Sequence, residues 1–245
     1  MPDADDFRAL ARSSPWLWST LRFTVRWRGE HGLGPVRAWL RRPDVVRVES
    51  LDGQLLQIVR EQPQPAGGPA PGRRPDGLVA ERPDGVSHDA PMYQSYSWIA
   101  VLDPVELADG RDPETGERAG PGLAVDGVVE IEHGGRPAWE AVVRPTPLYE
   151  PRCGCCSLLR SRLVDRYEWG ADSFADAEYP TEFLVRLDRQ TGVCVWTEAL
   201  DGTWVGTGHV LRIEGVDEPM DDALFVEPRR PARGRQPGPA RPGRV

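Results

Sequence analysis

A mainly β (α+β) fold, built as a largely antiparallel sheet with few helices around one core, is what this 245-residue sequence predicts. Three observations predict it. Apolar and polar residues alternate along several short runs, short turns join those runs, and neither βαβ spacing nor a Gly-rich phosphate loop interrupts them. A hydrophobic fraction of 39% is enough for a real core at this length.

The elements follow in chain order. Residues 3–12 read as a short helix, with Asp3, Asp5 and Asp6 at its positive end and Phe7, Leu10 and Ala11 on one side. Pro15 restarts the chain. In "LRFTVRW" Leu21, Phe23, Val25 and Trp27 face one way while Arg22, Thr24 and Arg26 face the other, the period of a half-buried strand. "VRAWL" and "VVRVES" are separated by Arg42-Pro43-Asp44, and "LDG" turns the chain into "QLLQIVRE", which makes an antiparallel meander. Residues 62–91 are rich in Pro, Gly, Arg and Asp with little to bury, and read as a mobile insertion.

"SYSWIAVLDPVELADG" reads as short helical or turn-rich structure, with Asp103 and Pro104 suited to helix entry, and "RDPETGERAGPG" as a loop. Strands return as "GVVEIEH" and "AWEAVVRP" around "GGRP", then as "EFLVRL" and "GVCVWTEAL" around "DRQTG", followed by "GHVLRIEGV". Between them Leu159, Leu163 and Tyr167, beside Leu158, recur at helical spacing and predict one internal helix over residues 157–169.

The net charge of −8 is unevenly spread, and all basic side chains are arginine because the chain has no lysine. Arg229, Arg230, Arg233, Arg235, Arg241 and Arg244 lie in an acid-free terminal segment, so the body is more acidic than the total. Such a body is a poor match for nucleic acid or an anionic membrane, where binding rests on neutralising phosphates. Residues 229–245 read as a disordered Arg/Pro/Gly tail. An acidic start without an apolar h-region, and the lack of any apolar run near 18 residues, lead to the expectation of a cytoplasmic protein without a membrane span. Cysteines in that compartment are mostly reduced.

Three of the four cysteines fall within "PRCGCCSLL". In one reading they form a packed turn, because free cysteine behaves as a small buried hydrophobe. In a second, Cys153, Cys155 and Cys156 are soft ligands for zinc, completed by Cys194 or by His31, His88, His133 or His209. In a third, Cys153 and Cys156 are a redox pair at the start of the internal helix, where the dipole and Arg152 favour a thiolate, although the βαβ context of such pairs is missing. No catalytic constellation emerges. His88-Asp89 has no partnered nucleophile motif, and Asp221-Asp222 reads as a cap. The nine tryptophans serve either as core filling or as the lining of an amphipathic pocket.

"FLVRLDRQTGVCVWTEAL" followed by "GHVLRIEGVDEPMDDALF" resembles the C-terminal end of the LolA-like superfamily, in which a D-x-x-T-G turn joins two strands and a late P-x-D-D-x-L-F closes the chain. The early "TVRWRGEHGLGPVRAWLRRPDVVRVES", leading into "LDGQLLQIV", is similar to that family's opening meander. The resemblance implies a single domain over residues 1–228, a curved antiparallel sheet or incomplete barrel wrapped over one to three helices. It also implies an apolar concavity, for which Phe23, Val25, Trp27, Val46, Val48, Val143 and Val185 are the candidate lining. The resulting expectation is a non-enzymatic binding protein holding a lipid or other apolar small molecule. The alternatives are a regulatory module with a protein partner, or a thiol or zinc sensor centred on the cysteines. No cofactor is expected apart from zinc at that cluster.

Overall fold

The computed structural model describes residues 1–29, 34–61, 69–83, 88–170, 174 and 176–227. His31, parts of the 62–91 insertion and the 229–245 tail lie outside the described residues.

Helix α1, Ala4–Ser13, starts where its first donors find partners. Asp3 accepts from the backbone N–H groups of Asp5 and Asp6 at 2.9 Å, and Asp6 accepts from that of Asp3 at 3.0 Å, a reciprocal cap. Phe7, Leu10 and Ala11 are buried, as their spacing predicts. Strands β1 (Thr20–Arg28), β2 (Val36–Arg41), β3 (Val45–Ser50) and β4 (Leu55–Arg60) make the first meander. A small hairpin, β5 (Gly72–Arg73) and β6 (Val79–Glu81), precedes α2 (Tyr96–Leu102), and a second, β7 (Asp109–Arg111) and β8 (Arg118–Pro121), follows it. Then come β9 (Leu123–His133), β10 (Arg136–Pro145), α3 (Arg162–Trp169), β11 (Phe183–Asp188), β12 (Cys194–Ala199) and β13 (Gly208–Val216).

The large strands form one nine-stranded antiparallel sheet in the order β4-β3-β2-β1-β13-β12-β11-β10-β9. Two consecutive meanders are therefore zipped together by β1 against β13, with Leu21 opposite Val216 and Trp27 opposite His209. β4 and β9 are the two edges, and no closed barrel forms among the described residues.

Alternation sorts the side chains onto two faces. Phe23, Val25, Ala38, Leu40, Val48, Ala141, Val143, Val185 and Leu211 are buried on the inner face, joined there by Phe7 and Leu10 of α1 and by Trp98, Ile99 and Leu102 of α2. Each large apolar side chain so buried contributes roughly 1.5–3 kcal/mol. The outer face carries cross-strand ion pairs, including Arg22 with Glu214 at 3.3 Å and Arg186 with Glu140 at 2.7 Å. These fix register more than they stabilise, because exposed pairs contribute at most about 1 kcal/mol.

Three sequence expectations are corrected. Asp103 does not open a helix; it ends α2, its N–H donating to the Ile99 carbonyl, and only a 3-10 turn follows Pro104. The internal helix begins at Arg162 rather than residue 157, with Ser161 as its cap. "RDPETGERAGPG" carries strand β8 and the end of β7. Within the 62–91 stretch the described residues include the β5–β6 hairpin. Val79 is enclosed, its N–H donates to Ser13 Oγ at 2.7 Å, and the Arg82 guanidinium forms a buried ion pair with Asp103. Burial alone would raise the Asp103 carboxyl, but the charges of Arg82, Arg152 and Arg42 prevail and hold it below its ordinary value. Arg42 is itself so enclosed, stacked 3.4 Å from the Trp18 ring centroid, that burial lowers its pKa to about 9.

A candidate thiol metal site

The segment after β10 leaves the sheet, and one buried carboxylate shapes it. Glu106, in the 3-10 turn behind α2, accepts from the Tyr149 hydroxyl at 2.7 Å, from Arg152 N–H at 3.1 Å and from Leu158 N–H at 3.1 Å. One side chain thus staples both ends of the loop 152–158. Leu159 N–H donates to the Tyr149 hydroxyl at 3.2 Å, and Ser97 Oγ of α2 donates to the Cys156 carbonyl at 3.0 Å. Arg152 pairs with Asp103 at 2.8 Å and also with Asp89. Backbone donors that would otherwise be buried and unsatisfied are what fix this path.

Between the staples, Gly154–Cys156 makes one 3-10 turn that gathers the three thiols. Cys153 Sγ lies 3.0 Å from Cys155 Sγ, and Cys155 Sγ lies 3.6 Å from Cys156 Sγ. All three sulfurs fall within 4.8 Å of one another, so the group could hold a metal ion. Zinc–sulfur bonds of about 2.3 Å in tetrahedral geometry separate sulfurs by about 3.8 Å, so small rotations suffice. Cys155 is exposed and the other two are half-buried, which leaves the group open to solvent.

The thiols act on one another. Burial works against a Cys153 thiolate, but hydrogen bonds from the Cys155 and Cys156 thiols and from both backbone N–H groups outweigh it and lower its pKa. The same contact, then burial and the nearby Glu168 charge, raises Cys155, while burial and both neighbours push Cys156 up to about 12. Of the three, Cys153 is the thiol most readily ionised. A divalent ion held there would supply the positive charge that lets the thiol protons leave.

The other predicted donors go elsewhere. Cys194 is buried in β12, and burial raises its thiol far above the ordinary range. His209 is enclosed beside it, bonded to Thr197 and the Cys194 carbonyl. His133 is bonded to the Leu211 carbonyl, and His88 packs its ring 4.4 Å from Trp16. None of them joins the cysteine group among the described residues. The redox reading loses its helix, because α3 begins six residues beyond Cys156.

Of the proposed apolar lining, Phe23, Val25, Val46, Val48, Val143 and Val185 are buried in the core and Trp27 is half-buried against it, its ring 5.1 Å from His209. An open groove of about 780 Å³ lies elsewhere, lined by residues that include Leu10, Leu78, Val128, Glu130, Trp139 and Arg189. Of the nine tryptophans, Trp98, Trp18 and Trp139 are core, and Trp169 is exposed. Sequence reasoning missed Glu106, Tyr149 and Ser97, since nothing in linear spacing ties them to the cysteines. No family model and no curated protein sequence matches the chain.

Proposed function

We propose that this chain is a non-enzymatic, zinc-binding thiol protein, with the ion held by the thiolates of Cys153, Cys155 and Cys156. The observation that carries the reading is the convergence of three sulfurs within 4.8 Å on a loop stapled at both ends by Glu106. A preformed cradle of soft donors lowers the ordering cost of binding, and three thiolates over four residues select soft or borderline ions over magnesium or calcium. A reducing, cytoplasmic setting keeps these thiols available, and their exposure to solvent suits an ion that exchanges, as in a sensor. The decisive experiment is native mass spectrometry of the reduced protein. One zinc per chain is expected, absent when Cys153, Cys155 and Cys156 are all replaced by Ser. A bare polypeptide mass from zinc-replete protein contradicts the reading.

The open groove beside α1 favours a second reading, an apolar ligand or protein segment held there rather than against the buried inner face. The double meander and the D-x-x-T-G turn after β11 support the LolA-like resemblance to that extent. Titration with fatty acids tests it. Saturable quenching of tryptophan fluorescence that is lost in Leu78→Asp supports this reading, and no saturable change counts against it.

A further inference from the structure

Three thiolates leave one position of a tetrahedral ion unfilled, and α3 brings the Glu168 carboxylate up to the cysteine turn. Glu168 stands in the last turn of α3, and its side chain lies across Gly154, at the middle of the cysteine turn. A Cβ added at Gly154 would sit 2.5 Å from Glu168 Oε2 and 3.1 Å from Glu168 Cβ. A side chain at position 154 would displace the carboxylate from this place. Glu168 is an exposed side chain whose torsions are free to turn it away from Gly154.

We propose that Glu168 is the fourth ligand of the metal, which makes the site a Cys3Glu set shared between the 3-10 turn and the end of α3. The consequence is selectivity. With Glu168 the set is tetrahedral and anionic, fit for zinc or cadmium; without it, three sulfurs suit an ion content with three-coordinate thiolate, such as trivalent arsenic. The ligands would come from two elements, so zinc binding also ties α3 to the cysteine loop. Zinc displaces one proton for each protonated thiol it captures.

This inference rests on the zinc site proposed above, and the test separates the two. Zinc affinity is measured by competition with a chromophoric chelator for the wild-type chain, Glu168→Gln and Glu168→His. In parallel, arsenite capture is followed by mass, each arsenic exchanging three As–O bonds for three As–S bonds with release of three waters. Glu168→Gln is expected to weaken zinc by about tenfold or more, with Glu168→His, which supplies another zinc donor, restoring most of the loss. Arsenite capture, which needs only the three thiols, reports that the loop is intact and is expected to match wild type in all three proteins. Equal zinc affinity in wild type and Glu168→Gln overturns the fourth ligand and leaves the three-thiolate site standing. Parallel loss of zinc and arsenite in Glu168→Gln assigns Glu168 a merely structural role and also overturns it. A wild-type chain that takes up no zinc removes both readings.

Discussion

Glu106 and His209 carry opposite pH signatures, because burial acts on an acid and a base in opposite directions. Burial outweighs the bonds from Tyr149, Arg152 and Leu158 and raises the Glu106 carboxyl above its ordinary 4.5. A raised folded-state pKa gives stability that is complete below the unfolded value and lost as pH rises through the folded one. The unfolding free energy of wild type minus that of Glu106→Gln should therefore fall as pH rises above 4.5; a flat or rising difference in urea titrations contradicts this. His209 is the reverse case, since burial lowers it from 6.5 to about 4. Its neutral form contributes stability that is present above pH 6.5 and lost as pH falls toward 4, about 3 kcal/mol in full. Urea unfolding at pH 7.5 and 4.5 should show that loss in wild type, and Glu106→Gln should share it, whereas His209→Gln should lack it. At this level the cysteine cluster was legible because its members are contiguous, and Asp221 was read correctly as a cap, accepting from Ala223 N–H at 2.7 Å. Glu106 was not legible, because its partners lie more than 40 positions along the chain.

Strands were read more faithfully than helices, for a physical reason. A period of two over six to nine residues leaves few alternatives, so β1, β2 and β3 fall where alternation puts them. The internal helix shows the opposite. Leu158 and Leu159 have helical spacing to later residues, but Glu106 and Tyr149 take their backbone N–H groups and hold them outside α3. Tyr167, placed on the apolar side by the pattern, is 69% exposed. Tertiary hydrogen bonds here override local periodicity. The β5–β6 hairpin was hidden by its composition, since its few apolar residues, Leu78 and Val79, are helped by two arginine pairs, Arg74 with Asp6 and Arg82 with Asp103. The second pair is testable through Asp103, which is 1% exposed and meets Arg82 and Arg152. Asp103→Ala leaves the enclosed Arg82 guanidinium without its carboxylate and should cost about 3–5 kcal/mol. Thermal unfolding of the variant within a degree of wild type would refute the assignment of Asp103 as the hub joining α2, the hairpin and the cysteine loop.

Taken whole, the molecule is an open sheet whose inner face is filled by its own helices, and its distinctive chemistry sits to one side, on a loop that the filled core holds in place. The fold class followed from the sequence because alternation and turns determine it. The location of the site did not, since it depends on which buried acid staples which loop. Among the described residues no helix is long and apolar enough to cross a membrane. The central claim is that the ion sits on the three sulfurs of this loop, and zinc-edge X-ray absorption of the reduced, zinc-loaded protein tests it most directly. The account predicts three sulfur neighbours at about 2.3 Å and one oxygen at about 2.0–2.2 Å. A first shell of nitrogen and oxygen alone would contradict it.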